Sequence, residues 1–336
     1  MNDLRVKSTA LRVLEGAYDT AGTHEQWIGH AARTLTEGTP GAIAAWGYAL
    51  QGGQHDGGPG AEALLTAFQV DDDTLAHVFS GSGERLSSLA LGPGTRCAVY
   101  SETLRHRGTA GKRSARLLQQ VGGDDAFAVM SIDAARAGII IACVTRDHRL
   151  SEERREVGTR IAVHLAAGLR LRRALGTASL LDHAEAIFEA DGRLASARGP
   201  ASQGDTPERL HRAVERVAGV HRAVSRDGEI AALDLWQGLV EGRWSIVAHE
   251  DTDGRRYHLA VANPPLAVLD RALTATEAHV AAMALAGEPY KTIAYSLGIG
   301  ESTAANVLKG ALRKLGVASR IELIRFGTRL GLAPAT

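Results

Sequence analysis

Residues 273–330 carry their own punctuation, and it divides them into short helices. Thr274, followed three residues on by Glu277, makes a capping box: the hydroxyl caps the helix and the carboxylate reaches back to the cap's N–H. Val280, Met283, Ala284 and Leu285 give this first helix an apolar face, and Gly287 stops it. Pro289 stands where a first-turn proline is tolerated and opens a second helix, "YKTIAYSLG". There Ile293, Ala294 and Leu297 form the side to be buried, and Gly298 is the stop. A third helix follows Gly300 and runs to Gly316. Ser319 and Glu322 form a second capping box, which starts a helix reaching to about Leu330. Helices this short are not stable alone in water, so the four must pack on one another.

The third helix has two faces. Ala304, Leu308, Ala311, Leu312 and Leu315 recur at helical spacing and form the core side. Ala305, Asn306, Lys309 and Arg313 fall on the opposite side. Two helices joined by the turn Gly298-Ile299-Gly300, the second with a polar outer face, have the plan of a helix-turn-helix, whose second helix enters the major groove of DNA. On that plan Asn306 pairs with adenine and Ala305 touches a thymine methyl. Ser302 and Thr303, in the first turn beside free backbone N–H groups, suit a phosphate. Lys291, at the start of the preceding helix, is placed for a flanking phosphate.

The residues that carry this pattern match a known family. Leu273-Thr274, Glu277, Val280, Gly287, Lys291, Ile293-Ala294, Leu297, Ile299, Thr303, Lys314-Leu315, Val317, Ser319-Arg320 and Glu322-Leu323 resemble the LuxR-type helix-turn-helix without a gap. The resemblance implies a DNA-binding transcriptional regulator, dimeric on double-stranded DNA, with the contact positions just named used similarly. It covers only the C-terminal part of the chain and says little about the input. There are departures. The family usually has Ser or Thr where Gly300 stands, and commonly Val at 304, Lys or Arg at 305 and His at 307; here these are Ala304, Ala305 and Val307. Gly310, in mid-helix, costs about 1 kcal/mol relative to Ala. The alternative is therefore a degenerate helix-turn-helix that binds protein instead of DNA. Charge favours DNA: the whole chain has a formal net charge of zero, whereas residues 270–336 hold eight Lys or Arg against five Asp or Glu.

The front of the chain reads as α+β, with a first domain over 1–176. Helical patterning at 9–21 and 25–36 precedes the strand-like "GAIAAWGYAL". "CAVYSETL", "AFAVMSID" and "AGIIIACVTRD" are further strand candidates, short and bounded by turn residues. A long amphipathic helix closes the domain, capped by Ser151 and stopped by Gly176. Helices, a mixed sheet and a closing helix resemble a GAF-type sensor domain in element order. Residues 177–266 carry Asp191-Gly192 and Asp253-Gly254, each between extended runs, the strongest short hairpin signal. Two helical stretches, "PERLHRAVERV" and "AALDLWQGLV", lie between them. This order resembles a shortened PAS-type domain. Pro264-Pro265 then makes a stiff linker to the helical domain at 267–336. The predicted architecture is thus multidomain: two α+β sensor-like domains and an all-α four-helix output domain.

No catalytic constellation stands out, so a non-enzymatic protein is expected. Asp71-Asp72-Asp73 and Asp124-Asp125 do not open an αβ repeat as a phosphorylated receiver would, and read as solvated loops. "GSGERL" at 81–86 lacks the rest of a phosphate loop. The thirteen histidines, His106, His148, His164 and His249 among them, show no metal-ligand spacing. No metal or cofactor is expected. Cys97 and Cys143 form no CxxC pair, which fits a reducing compartment, and Cys143 reads as a small core residue. Without a signal-peptide run or a membrane-length apolar segment, a cytoplasmic location is expected. Trp46 and Tyr48 on one strand, with Phe127 and Met130 on another, either line a sensor pocket for an unknown signal or form ordinary core. The apolar stripe of the long helix, Val157, Ile161, Leu165, Leu169 and Leu175, either covers the sheet or pairs with a second subunit in a homodimer.

Overall fold

The computed structural model describes residues 9–50, 54–55, 58–59, 66–69, 94–103, 115, 118–132, 138–146, 150–175, 180–235, 239–240, 244–251, 253–262, 273–315 and 317–329. The chain divides into two compact units, Met1–Leu169 with Gly327–Thr336, and Arg170–Phe326.

The first unit opens with α1 (Thr9–Ala17) and α2 (His24–Gly38). Thr23 and Gln26 close a capping box at the start of α2. Strand β1 (Ala42–Leu50) follows, then the ribbon β2 (Gln54–His55) and β3 (Gly58–Pro59), then β4 (Thr66–Phe68) and β5 (Gly94–Val99). The short helix α3 (Tyr100–Thr103) precedes β6 (Asp125–Ile132) and β7 (Gly138–Thr145), and α4 (Glu152–Leu175) follows them. The sheet order is β4-β1-β7-β6-β5. Every neighbouring pair is antiparallel, so the mixed sheet expected from sequence is corrected. A parallel pair needs a crossover of a dozen or more residues, and a link as short as that from Ile132 to Gly138 joins antiparallel neighbours only.

The central strand β7 explains its own composition. Ile139, Ile140 and Ile141 are all fully buried, which a strand allows only when both its faces are covered. On one face the register lines up Gly47, Ile141, Val129 and Cys97. A Cβ on Gly47 would lie 2.4 Å from the Ile28 side chain of α2, so the missing side chain is what lets α2 lie on the sheet. Gly158 of α4 does the same beside Cys97. On the other face Ala44, Trp46, Leu118, Met130, Ile140 and Val144 form one apolar cluster. Helix α4 is capped by Ser151, whose Oγ accepts from the Arg154 N–H at 3.3 Å. Of its apolar stripe Ile161, Leu165, Leu169 and Leu175 are buried and Val157 is half-buried. The predicted stop at Gly176 lies outside the described residues.

The second unit contains α5 (Leu180–His183), β8 (Ala184–Glu189), β9 (Leu194–Ala197) and α6 (Thr206–Leu235). Strands β10 (Leu239–Val240), β11 (Trp244–Glu250) and β12 (Arg256–Ala262) complete a sheet ordered β10-β11-β12-β8-β9. Both Asp-Gly hairpins form: Gly192 and Gly254 take φ of +87° and +75°, a left-handed backbone that glycine adopts without strain. The two expected helical stretches are instead the single 30-residue α6, and "LV" at the end of the second belongs to strand β10. No proline interrupts residues 218–230, and Gly219 and Gly228, each isolated, weaken a helix without ending it. Numbered in chain order and without the β2–β3 ribbon, both sheets share one strand order, 2-1-5-4-3.

Four helices end the described chain: α7 (Ala275–Leu285), α8 (Tyr290–Leu297), α9 (Glu301–Leu315) and α10 (Arg320–Arg329).

Candidate nucleic-acid interface

The first capping box and two of the glycine stops form as their sequence chemistry dictates. Thr274 accepts from the Glu277 N–H at 3.2 Å, and the Glu277 carboxylate accepts from the Thr274 N–H at 2.7 Å. Gly287, at φ +85°, lets the Glu288 N–H reach the Met283 carbonyl, and Gly298, at φ +63°, lets the Ile299 N–H reach the Ala294 carbonyl. Both are the six-to-one bond of a Schellman stop. Pro289 is the N-cap of α8, one position before the first helical residue, with an extended backbone. At α10 the Ser319 hydroxyl accepts from the Glu322 N–H, while the Glu322 carboxylate reaches the Ala318 N–H, one residue outside the expected box. Gly316 lies outside the described residues.

Helices α7, α8 and α9 then pack on one another. Ala304 and Ala311 are fully buried and Leu308 nearly so, while Leu312 and Leu315 stay half-buried at the margin. Across the helix Ser302, Thr303, Asn306, Lys309 and Arg313 are exposed, and Ala305 is half-buried. Ser302, Asn306, Lys309 and Arg313 follow at intervals of four, three and four, so they form one stripe along α9. Lys291 is exposed at the start of α8.

Some charges that raised the local balance serve the fold instead. Lys314 Nζ lies 2.6 Å from a Glu277 carboxylate oxygen and ties the last turn of α9 to the first turn of α7. Burial pushes the Glu277 carboxyl up, but the bonds from Lys314 and Thr274 outweigh it and hold the group below its usual range. Arg320 donates to the Glu288 carbonyl at 2.6 Å, with its guanidinium 5.7 Å from the Tyr290 ring centre. Sequence spacing did not reveal these roles, because each partner lies on another helix or on the turn between α7 and α8. Gly310 also has a neighbour: a Cβ there would sit 3.3 Å from the Glu277 carboxylate.

The sensor-pocket residues are not brought together as one group. Trp46 and Met130 share the apolar cluster with Leu118, whereas Phe127 faces the opposite side of the sheet, in register with Cys143. The physical reason is the two-residue period of a strand, since residues 127 and 130 are an odd number of positions apart. The side chain of Tyr48 lies outside the described residues.

Asp125 is no solvated loop residue. It is fully buried at the start of β6, and one carboxylate oxygen accepts from the Ser101 and Ala126 N–H groups at 3.0 and 2.8 Å. Asp124 beside it is exposed. Asp71-Asp72-Asp73, the 81–86 stretch, His106 and His148 lie outside the described residues. His164 is buried against the Tyr18 hydroxyl at 2.8 Å, and burial, with Arg160 adding to it, pushes its imidazole down to about 3. His249 is half-buried on β11. Burial pushes both thiols, Cys97 and Cys143, up to about 12, far from the range of a reactive cysteine. Among the described residues no cluster of His, Cys, Asp or Glu is placed to hold a metal ion, and no helix is long and apolar enough to cross a membrane.

Four short helices, a left-handed glycine between the second and third, and a polar stripe on the third define a helix-turn-helix. Residues 271–326 match the family model described as bacterial regulatory proteins, luxR family. The chain carries a LuxR-type helix-turn-helix as its C-terminal domain, the domain of a DNA-binding transcription regulator. No curated protein matches the chain.

Proposed function

We propose that this protein binds double-stranded DNA as a transcription regulator and reads base edges through α9. The observation that supports it best is the exposed stripe of Ser302, Asn306, Lys309 and Arg313, opposite a buried face of alanine and leucine. Ser302 and Thr303 meet a phosphate at the start of α9 and Lys291 a second one, while Asn306 and Ala305 face bases. Lys309 and Arg313 are the cations of the stripe. The missing basic residue at 305 thins the phosphate grip, so dimer geometry on a two-fold operator carries more of the affinity.

The regions 1–176 and 177–266 are sensor domains of GAF-like and PAS-like type, which take up a signal, dimerise the protein, or both, with 267–336 as output. Their shared strand order supports reading them as two small α+β domains of one design. A ligand or partner that favours one arrangement of the paired output domains would act by population shift. Trp46 and Met130 lie on the sheet face from which such a ligand would be contacted, and Phe127 does not. The site of action is the cytoplasm.

Selection of genomic fragments by the purified full chain tests the reading. The expected product is a palindrome with half-sites about one helical turn apart, bound with an affinity that falls steeply with salt. Absence of DNA affinity even at low salt, with Lys309→Ala changing nothing, would leave the protein-interaction alternative.

A further inference from the structure

Tyr295 lies four residues after Lys291 on α8, one turn along the same edge of that helix. In a helix-turn-helix the first helix of the pair crosses the phosphate backbone. The Lys291 edge is therefore the one that must come up against DNA. In this structure the Tyr295 hydroxyl donates to the Leu233 carbonyl at 3.1 Å, 62 residues earlier in the chain. Leu233 is in the last turn of α6, which ends at Leu235. Its carbonyl is among the four that have no partner within the helix, so Tyr295 caps α6 from outside. The next element, β10, also lies against α8. Leu233 and Tyr295 both belong to the second compact unit.

We propose that the Tyr295–Leu233 bond is an autoinhibitory latch. It seats the C-terminal end of α6 on the edge of α8 that DNA must approach. Two effects then oppose binding. The end of α6 occupies the space, and a helix C-terminus carries a partial negative charge of roughly half a unit, which repels phosphate. Full affinity requires Tyr295 to give up the Leu233 carbonyl. A change in α6 thereby reaches α8 through the Tyr295 hydroxyl. The latch rests on the DNA-binding reading given above.

The test uses the full chain and a fragment recovered by the genomic selection. Tyr295→Phe removes the hydroxyl and keeps the ring. It should tighten DNA binding by on the order of fivefold, the ratio set by one net hydrogen bond. Amide hydrogen exchange in α8 and the last turn of α6 should accelerate with it. Lys309→Ala, made in both backgrounds, checks the underlying reading separately. If Lys309→Ala still weakens binding but Tyr295→Phe binds no tighter than the unaltered protein, the latch is overturned and DNA binding stands. If neither the unaltered protein nor Tyr295→Phe binds DNA at low salt, both are overturned.

Discussion

Gly168→Ala is the substitution for which helix propensity and structure give opposite signs. Gly168 lies inside α4, and propensity alone credits alanine there with a gain of about 1 kcal/mol. The structure places the new Cβ 1.9 Å from the Ala17 carbonyl oxygen, 2.9 Å from its carbon and 3.2 Å from the Trp27 ring. A carbon and a carbonyl oxygen ordinarily stay at least about 3.3 Å apart. Relief therefore needs α1 and α4 to part by more than an ångström, and the obstacle is backbone, which no rotamer change moves. The shift also disturbs the bond from Trp27 Nε1 to the Gly16 carbonyl, now 2.8 Å, whose loss costs about 1 kcal/mol. Overpacking of this kind costs about 1–3 kcal/mol, so the net expectation is a destabilisation of about 1–3 kcal/mol once the propensity gain is set against both terms. Urea unfolding followed by the intrinsic signal of the buried Trp27 reads it directly: the midpoint should fall with the slope unchanged. A midpoint that stays put or rises would refute the claim that glycine at 168 exists for close approach of the two helices.

Gly310→Ala tests the opposite case, because the atom in its way is the end of the Glu277 side chain rather than backbone. A net gain of up to about 1 kcal/mol in thermal unfolding is expected, and a clear loss would mean that Lys314 and Thr274 hold Glu277 too firmly to yield. Lys309→Ala should weaken binding to all DNA sequences alike and flatten the salt dependence by about one phosphate contact, seen in titrations at several salt concentrations. Asn306→Ala should instead cost about 1–3 kcal/mol on the selected site and relax preference at one base pair; equal loss on every sequence would remove it from base readout. His164 is neutral when folded and titrates near 3, against about 6.5 unfolded. The unfolded chain therefore binds more protons between those values, and the stability that neutral His164 contributes above pH 6.5 is lost as pH falls towards 3. His164→Gln, which can still bond Tyr18, should make that fall shallower, and an unchanged pH profile would count against it.

The helical output domain was legible because its information is local. A hydroxyl three residues before a carboxylate, or a glycine where the backbone must turn left-handed, acts within one turn. The two Asp-Gly hairpins were legible for the same reason, as was the burial of Ala304 and Ala311 on one side of α9. The misreadings were non-local. Asp124-Asp125 looked like a loop because nothing nearby in sequence shows that Ser101 comes to cap Asp125. Strand direction depends on which strands pair, so the all-antiparallel order of the first sheet is not written in any one stretch. Phe127 and Met130 are the exception: they share one strand, and their odd separation already assigns them to opposite faces.

From its sequence alone this chain specified the capping boxes and glycine stops of its C-terminal helices, and which side of α9 is buried and which exposed. Tertiary structure alone decided what Lys314, Arg320 and Gly168 are for. Glu277, at once a cap and the partner of Lys314, depends on two helix ends meeting. Gly168 depends on α4 crossing Ala17, and Tyr295 on reaching the end of α6. Hydrogen bonds and steric contacts act over a few ångströms, so a pair far apart in the chain has no counterpart in local pattern until the fold brings it together.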